Sequence, residues 1–114
     1  MHWLNIKGSL DKETCVCVEN ISQVTVRRSC ESEDKETDSE RWYIEAIVGN
    51  CILILHSSPL VRLRKDVESD KQKALSYEAK CKKFYKDIVS YVTNESPWET
   101  RKILFVPDYS SDKN

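Results

Sequence analysis

Residues 41–56 read RWYIEAIVGNCILILH. Two apolar, strand-like runs flank Gly49-Asn50. Glycine takes φ > 0 freely and asparagine tolerates it, as a two-residue hairpin turn requires. The stretch therefore predicts antiparallel strands over residues 41–48 and 51–57, rich in the β-branched and aromatic residues that favour a pleated surface. The run CILIL, residues 51–55, is apolar on both faces, which predicts a central strand. Trp42 and Tyr43 are neighbours, so a strand sends their rings to opposite faces. One ring is then expected to face away from the core and mark a binding or self-association surface.

Upstream of this hairpin, residues 3–6 predict a short strand ending in a turn at Gly8. Residues 13–28 (ETCVCVENISQVTVRR) predict one broken strand, or two joined by a bend near residues 19–22. Downstream, Ser57-Ser58-Pro59 ends the second hairpin strand, and residues 60–67 read as a short strand or a lead-in. From residue 67 to 93 the period changes. Ala74, Tyr77, Cys81, Phe84, Tyr85, Ile88, Tyr91 and Val92 recur at spacings of three and four, which predicts one long amphipathic helix. Ser69 or Asp66 is expected to cap its start, and Asn94 and Pro97 to bound its end. Residues 103–106 predict a last edge strand, stopped by Pro107.

The expected fold is therefore α+β. An antiparallel sheet of four to six strands packs on one long helix in the C-terminal half, with a short strand after it. At 114 residues the chain is of single-domain size. The domain is expected over residues 1–108, followed by a disordered tail over 109–114. The element order, a curved sheet closed by a helix, resembles that of pleckstrin-homology-type domains in architecture alone, and the strand after the helix departs from it.

Composition excludes several chemistries. The chain has only two glycines, Gly8 and Gly49, so no P-loop, G-x-G-x-x-G or G-x-S-x-G can be built. Cysteines are five, an odd number: Cys15, Cys17, Cys30, Cys51 and Cys81. Only Cys15 and Cys17 form a close pair, whereas a structural zinc site needs four Cys or His ligands. The thiols are expected to be free, buried and structural, in a reducing, cytoplasmic setting. Cys51 and His56 lie on opposite faces of a straight strand, so they form no catalytic dyad without a bulge. No metal, cofactor or catalytic set is expected. The opening residues lack a leader pattern, and the longest apolar run is far shorter than the roughly 20 residues of a membrane span.

Charge is balanced overall, 18 basic against 19 acidic residues, so the whole-protein field steers no particular partner. Locally it is segregated. Residues 30–41 (CESEDKETDSER) hold six acids in twelve positions. The lack of glycine excludes an EF-hand loop. A long, mobile hairpin connection is expected here, with Glu33, Asp34, Glu36 and Asp38 able to engage a basic surface. Together with Trp42 and Tyr43 they form the expected partner-binding set. Basic residues run from Arg62 to Lys86 and could bind phosphates. Arg27, Arg28, Arg62 and Arg64, with aromatic stacking, form the expected ligand-binding set. The functional expectation is a small non-enzymatic interaction or regulatory protein, such as an inhibitor of the kind phages and mobile elements carry, docked on a larger protein complex. The alternative is an oligomeric small-ligand or nucleotide-binding module that uses those arginines.

Overall fold

The computed structural model describes residues 1–8, 12–93 and 100–110. In chain order the elements are β1 (Trp3–Lys7), β2 (Glu13–Cys17), a 3-10 turn (Val18–Asn20), β3 (Ile21–Ser32), β4 (Thr37–Val48), β5 (Cys51–Ser57), β6 (Val61–Arg64), helix α1 (Glu68–Val92) and β7 (Arg101–Phe105). The fold is α+β, a mostly antiparallel sheet packed against one long helix, as the patterns predict. The strands divide into two sheets, ordered β2-β1-β7 and β3-β4-β5, with β6 added to β4. The 3-10 turn is the expected break in residues 13–28, and it hands the chain from one sheet to the other.

Most pairs are antiparallel. β7 instead runs parallel to β1, with Trp3 opposite Arg101 and Lys7 opposite Phe105. A parallel partner requires a long return connection, and α1 supplies it. The hairpin that decides the fold forms as read. Gly49 has φ +62°, and Val48 pairs with Cys51 across the turn.

The acidic stretch is not a long, mobile loop. β3 and β4 pair through it, with Glu31 opposite Ser39 and Ser32 opposite Asp38, and β6 pairs with Thr37–Glu40 on the other side. Only residues 33–36 form the turn. The Glu33 and Asp34 amides donate to the Thr37 carbonyl, and Asp34 Oδ1 accepts from the Glu36 amide at 2.8 Å. High charge did not prevent a strand, because β4 is bonded on both sides here while Glu31, Glu33, Asp34, Glu36 and Asp38 stay exposed to water.

β5 is an edge strand, not the central one; β4 is central. A bulge also redirects it. Ile44 pairs with His56 and Glu45 with Ile54, leaving Leu55 extra. The extra residue reverses the alternation, so Leu55 and His56 are both buried.

One core is enclosed by both sheets and the helix. From α1 come Ala74, Tyr77, Cys81, Phe84, Ile88 and Tyr91. They meet Leu4, Ile6 and Val16 of the small sheet and Trp42, Ile44, Ala46 and Leu55 of the large one. Each large apolar side chain so buried stabilises the fold by roughly 1.5–3 kcal/mol. Tyr109 also lies in this core, 8% exposed, so the ordered chain passes the expected boundary at 108.

The helix starts without the expected caps. Val67 occupies the cap position and makes no side-chain cap, and Asp66 takes φ +61°. Asp70 anchors the first turn instead, accepting from the Arg64 amide at 2.9 Å and from its guanidinium at 2.8 and 3.0 Å. At the other end Thr93 donates to the Val89 carbonyl through both its amide and its hydroxyl. Asn94 and Pro97 lie outside the described residues.

Candidate functional site

Alternation along β4 sends Trp42, Ile44 and Ala46 to the helix side and Arg41, Tyr43, Glu45 and Ile47 to the outer face. On that outer face, beside the β3–β4 arm, lies a concavity of about 310 Å³. Its walls include Ser29, Glu31, Glu33, Arg41, Tyr43 and Leu60. Arg62 Nε donates to Glu33 at 3.0 Å, tying the arm to β6. The Arg27 guanidinium sits 4.8 Å from the centre of the Tyr43 ring and donates to Glu45 at 3.0 Å. Those contacts with Glu45 hold the guanidinium still more firmly protonated than usual. Arg41 Nε is buried there without a hydrogen-bond partner among the described residues.

The expected partner-binding residues are partly brought together. Glu33 and Tyr43 share the concavity. Asp34 and Glu36 lie in the turn just beyond it, and Asp38 is exposed on the opposite side of β4. Trp42 does not belong to the set: it is 3% exposed and faces the core. Of the two neighbouring rings, Tyr43 is the one that faces outward.

The four expected ligand-binding arginines do not converge. Arg27 pairs with Glu45, Arg28 with Glu40, Arg62 with Glu33 and Arg64 with Asp70. Arg27 and Arg28 point to opposite faces of β3. Along the helix, Lys82 pairs with Glu78, and Lys80 donates to the Asp108 carbonyl at 3.0 Å. The basic stretch from Arg62 to Lys86 is thus threaded by its own acceptors.

The thiols are free, but only Cys17 and Cys81 are buried. Cys15, Cys30 and Cys51 are exposed, because a strand edge or a turn leaves one side of each open to water. The bulge puts Cys51 and His56 on the same side of β5, yet five residues of strand separate them by roughly 16 Å. His56 serves the core instead. Its Nε2 shares a 2.7 Å hydrogen bond with the Tyr109 hydroxyl, and Phe84 meets the ring edge-on at 5.2 Å. Burial pushes the imidazole down to about 4, so it is neutral at pH 7.

Sequence reading missed a second cavity of about 480 Å³ next to His56, walled by Ile6, Lys12, Thr14, Leu55 and Val106. It spans the junction of the two sheets, and no local pattern announces such a junction. Among the described residues, no group of three or more His, Cys, Asp or Glu side chains is placed to hold a metal ion. No described helix is long and apolar enough to cross a membrane. No protein-family model matches the chain, and no curated protein or solved structure matches it significantly.

Proposed function

We propose that this chain is a small, non-enzymatic interaction protein that docks on a larger protein partner and regulates or inhibits it. The docking surface is the tip of the β3–β4 arm with the adjoining outer face. One observation carries the reading. Glu31, Glu33, Asp34 and Glu36 are presented on a paired hairpin braced by β6, beside a concavity whose rim offers Tyr43 and the 44% exposed Leu60. A fixed acidic surface next to an aromatic anchor suits a basic protein surface, with charge speeding encounter and the ring supplying contact area. The free thiols suit a cytoplasmic setting. Glu33 is engaged by Arg62, whereas Glu31 and Glu36 are exposed, so the charge of those two is available to a partner.

Affinity capture from host cells, followed by mass spectrometry, identifies the partner. Reversing Glu31 and Glu36 to lysine should then weaken binding at least tenfold and flatten its salt dependence. Unchanged affinity in that variant would discard the acidic docking surface.

The second reading, a small-ligand module, is favoured by the 480 Å³ cavity rather than by the dispersed arginines. A ligand present at 100 times its Kd should add about 2.7 kcal/mol to the stability. A thermal-shift panel of nucleotides and small carboxylates tests it, and no shift anywhere in the panel would count against it.

A further inference from the structure

Strand β5 combines two properties that conflict in a single chain. Its run CILIL is apolar on both faces, as in a strand paired on both sides, yet among the described residues β4 is its only strand neighbour, and from Ile54 onward its other edge borders the 480 Å³ cavity. Ile52 is 70% and Ile54 49% exposed. Edge strands are normally blunted by charge, proline or an early bulge. The other strands with an open edge follow that rule. β2 carries Glu13, β3 carries Arg27, Arg28 and Glu31, β6 carries Arg62 and Arg64, and β7 carries Arg101 and Lys102. Between Cys51 and Leu55 there is neither a charge nor a proline, and the bulge comes only at Leu55.

We propose that β5 pairs antiparallel with β5 of a second copy of this chain, about a two-fold axis at Leu53. The register follows from the hairpin. In a two-residue hairpin the residues flanking the turn, here Val48 and Cys51, exchange hydrogen bonds with each other. Alternation then turns the amide and carbonyl of Leu53 toward β4 and those of Ile52 and Ile54 toward the open edge. A two-fold axis at Leu53 sets Ile52 against Ile54 of the second copy, and Ile54 against its Ile52. Both residues of each pair offer a donor and an acceptor, so four hydrogen bonds close the gap. The sequence Ile-Leu-Ile is the same read from either end, so the side chains also match themselves. Four isoleucines meet on the outer face beside the half-buried Ile47 of each copy, and no like charges are opposed. This self-complementarity selects a second copy over a foreign strand.

The bulge limits the paired segment to about five residues. Such an interface is small beside the 1,200–2,000 Å² or so of a standard stable complex, so the dimer should dissociate on dilution. The acidic arm is at the other end of β4, roughly 35 Å away along the strand. Self-pairing leaves it free, and failure of the docking reading does not touch this proposal.

Sedimentation of the full chain between about 1 and 500 μM tests it. Twice the chain mass is expected at the top of that range, falling toward one on dilution. The double variant Ile52→Lys, Ile54→Lys should be monomeric throughout, with circular dichroism and unfolding midpoint retained at low concentration. Leu75→Lys, which removes an exposed leucine on α1 (58% exposed), should dimerise like the parent. A parent that stays monomeric at every concentration overturns the proposal, even if it captures a foreign strand. So does a folded double variant that still dimerises, or a dimer abolished by Leu75→Lys.

Discussion

The ring of His56 lies parallel to that of Tyr109, 8° apart in plane and 5.7 Å between centroids, and the two share a 2.7 Å hydrogen bond. Fifty-three residues separate them in the chain. The contact fastens the segment after β7 to the bulged end of β5, and Tyr77 closes on Tyr109 edge-on at 5.0 Å. Burial pushes the tyrosine hydroxyl up, so it stays protonated and available for this bond.

Tyr109→Phe should cost about 1–2 kcal/mol, because it leaves a buried imidazole nitrogen without its partner. Ending the chain at Asp108 removes the whole ring and should cost about 3–5 kcal/mol. Urea unfolding followed by circular dichroism measures both. Equal stability of the truncated and parent chains would place residue 109 in a tail after all.

The same pair sets a pH dependence. The His56 imidazole has its ordinary value, 6.5, when unfolded and about 4 when folded. Below pH 6.5 the unfolded chain binds a proton that the folded chain refuses, so stability falls as pH drops from 6.5 to 4. The loss should approach about 3 kcal/mol. Unfolding free energies across pH 5–7, above the range where the depressed carboxylates Glu19 and Asp70 contribute most, should slope accordingly, and most of that slope should be lost in His56→Phe. Asp70, held at about 2 by Arg64, acts in a lower window, below its ordinary 3.8.

Two isoleucines of the same hairpin should respond in opposite ways. Ile44 is 0% exposed and Ile52 is 70% exposed. Ile44→Ala should destabilise by about 2–5 kcal/mol through the cavity it leaves. Ile52→Ala should change the stability of dilute protein by less than about 0.5 kcal/mol. Chemical denaturation at a few micromolar separates the two.

Gly49→Ala tests the turn. No atom lies within 4 Å of the added methyl, so crowding costs nothing there. The φ of +62° remains, and an L-residue in that conformation should lose about 1–2 kcal/mol. A Gly49→Ala protein as stable as the parent would mean that the turn tolerates another backbone conformation.

By itself the sequence determined the elements and the turn that orders them. Gly49-Asn50 placed the hairpin, the three-and-four spacing from Ala74 to Val92 placed the helix, and two glycines removed the nucleotide-cradling loops. These signals are local: each depends on dihedral preference or on periodicity within a few residues. Tertiary structure decided what local patterns cannot carry. Pairing with β3 and β6 turned an acidic stretch expected to be a loop into a rigid arm, because backbone bonds on both sides outweighed the charge on its side chains. A single bulge at Leu55 sent His56 into the core. Sheet order put β5 at an edge although both its faces are apolar, so the sequence held the mark of a central strand while the single chain supplied only one neighbour.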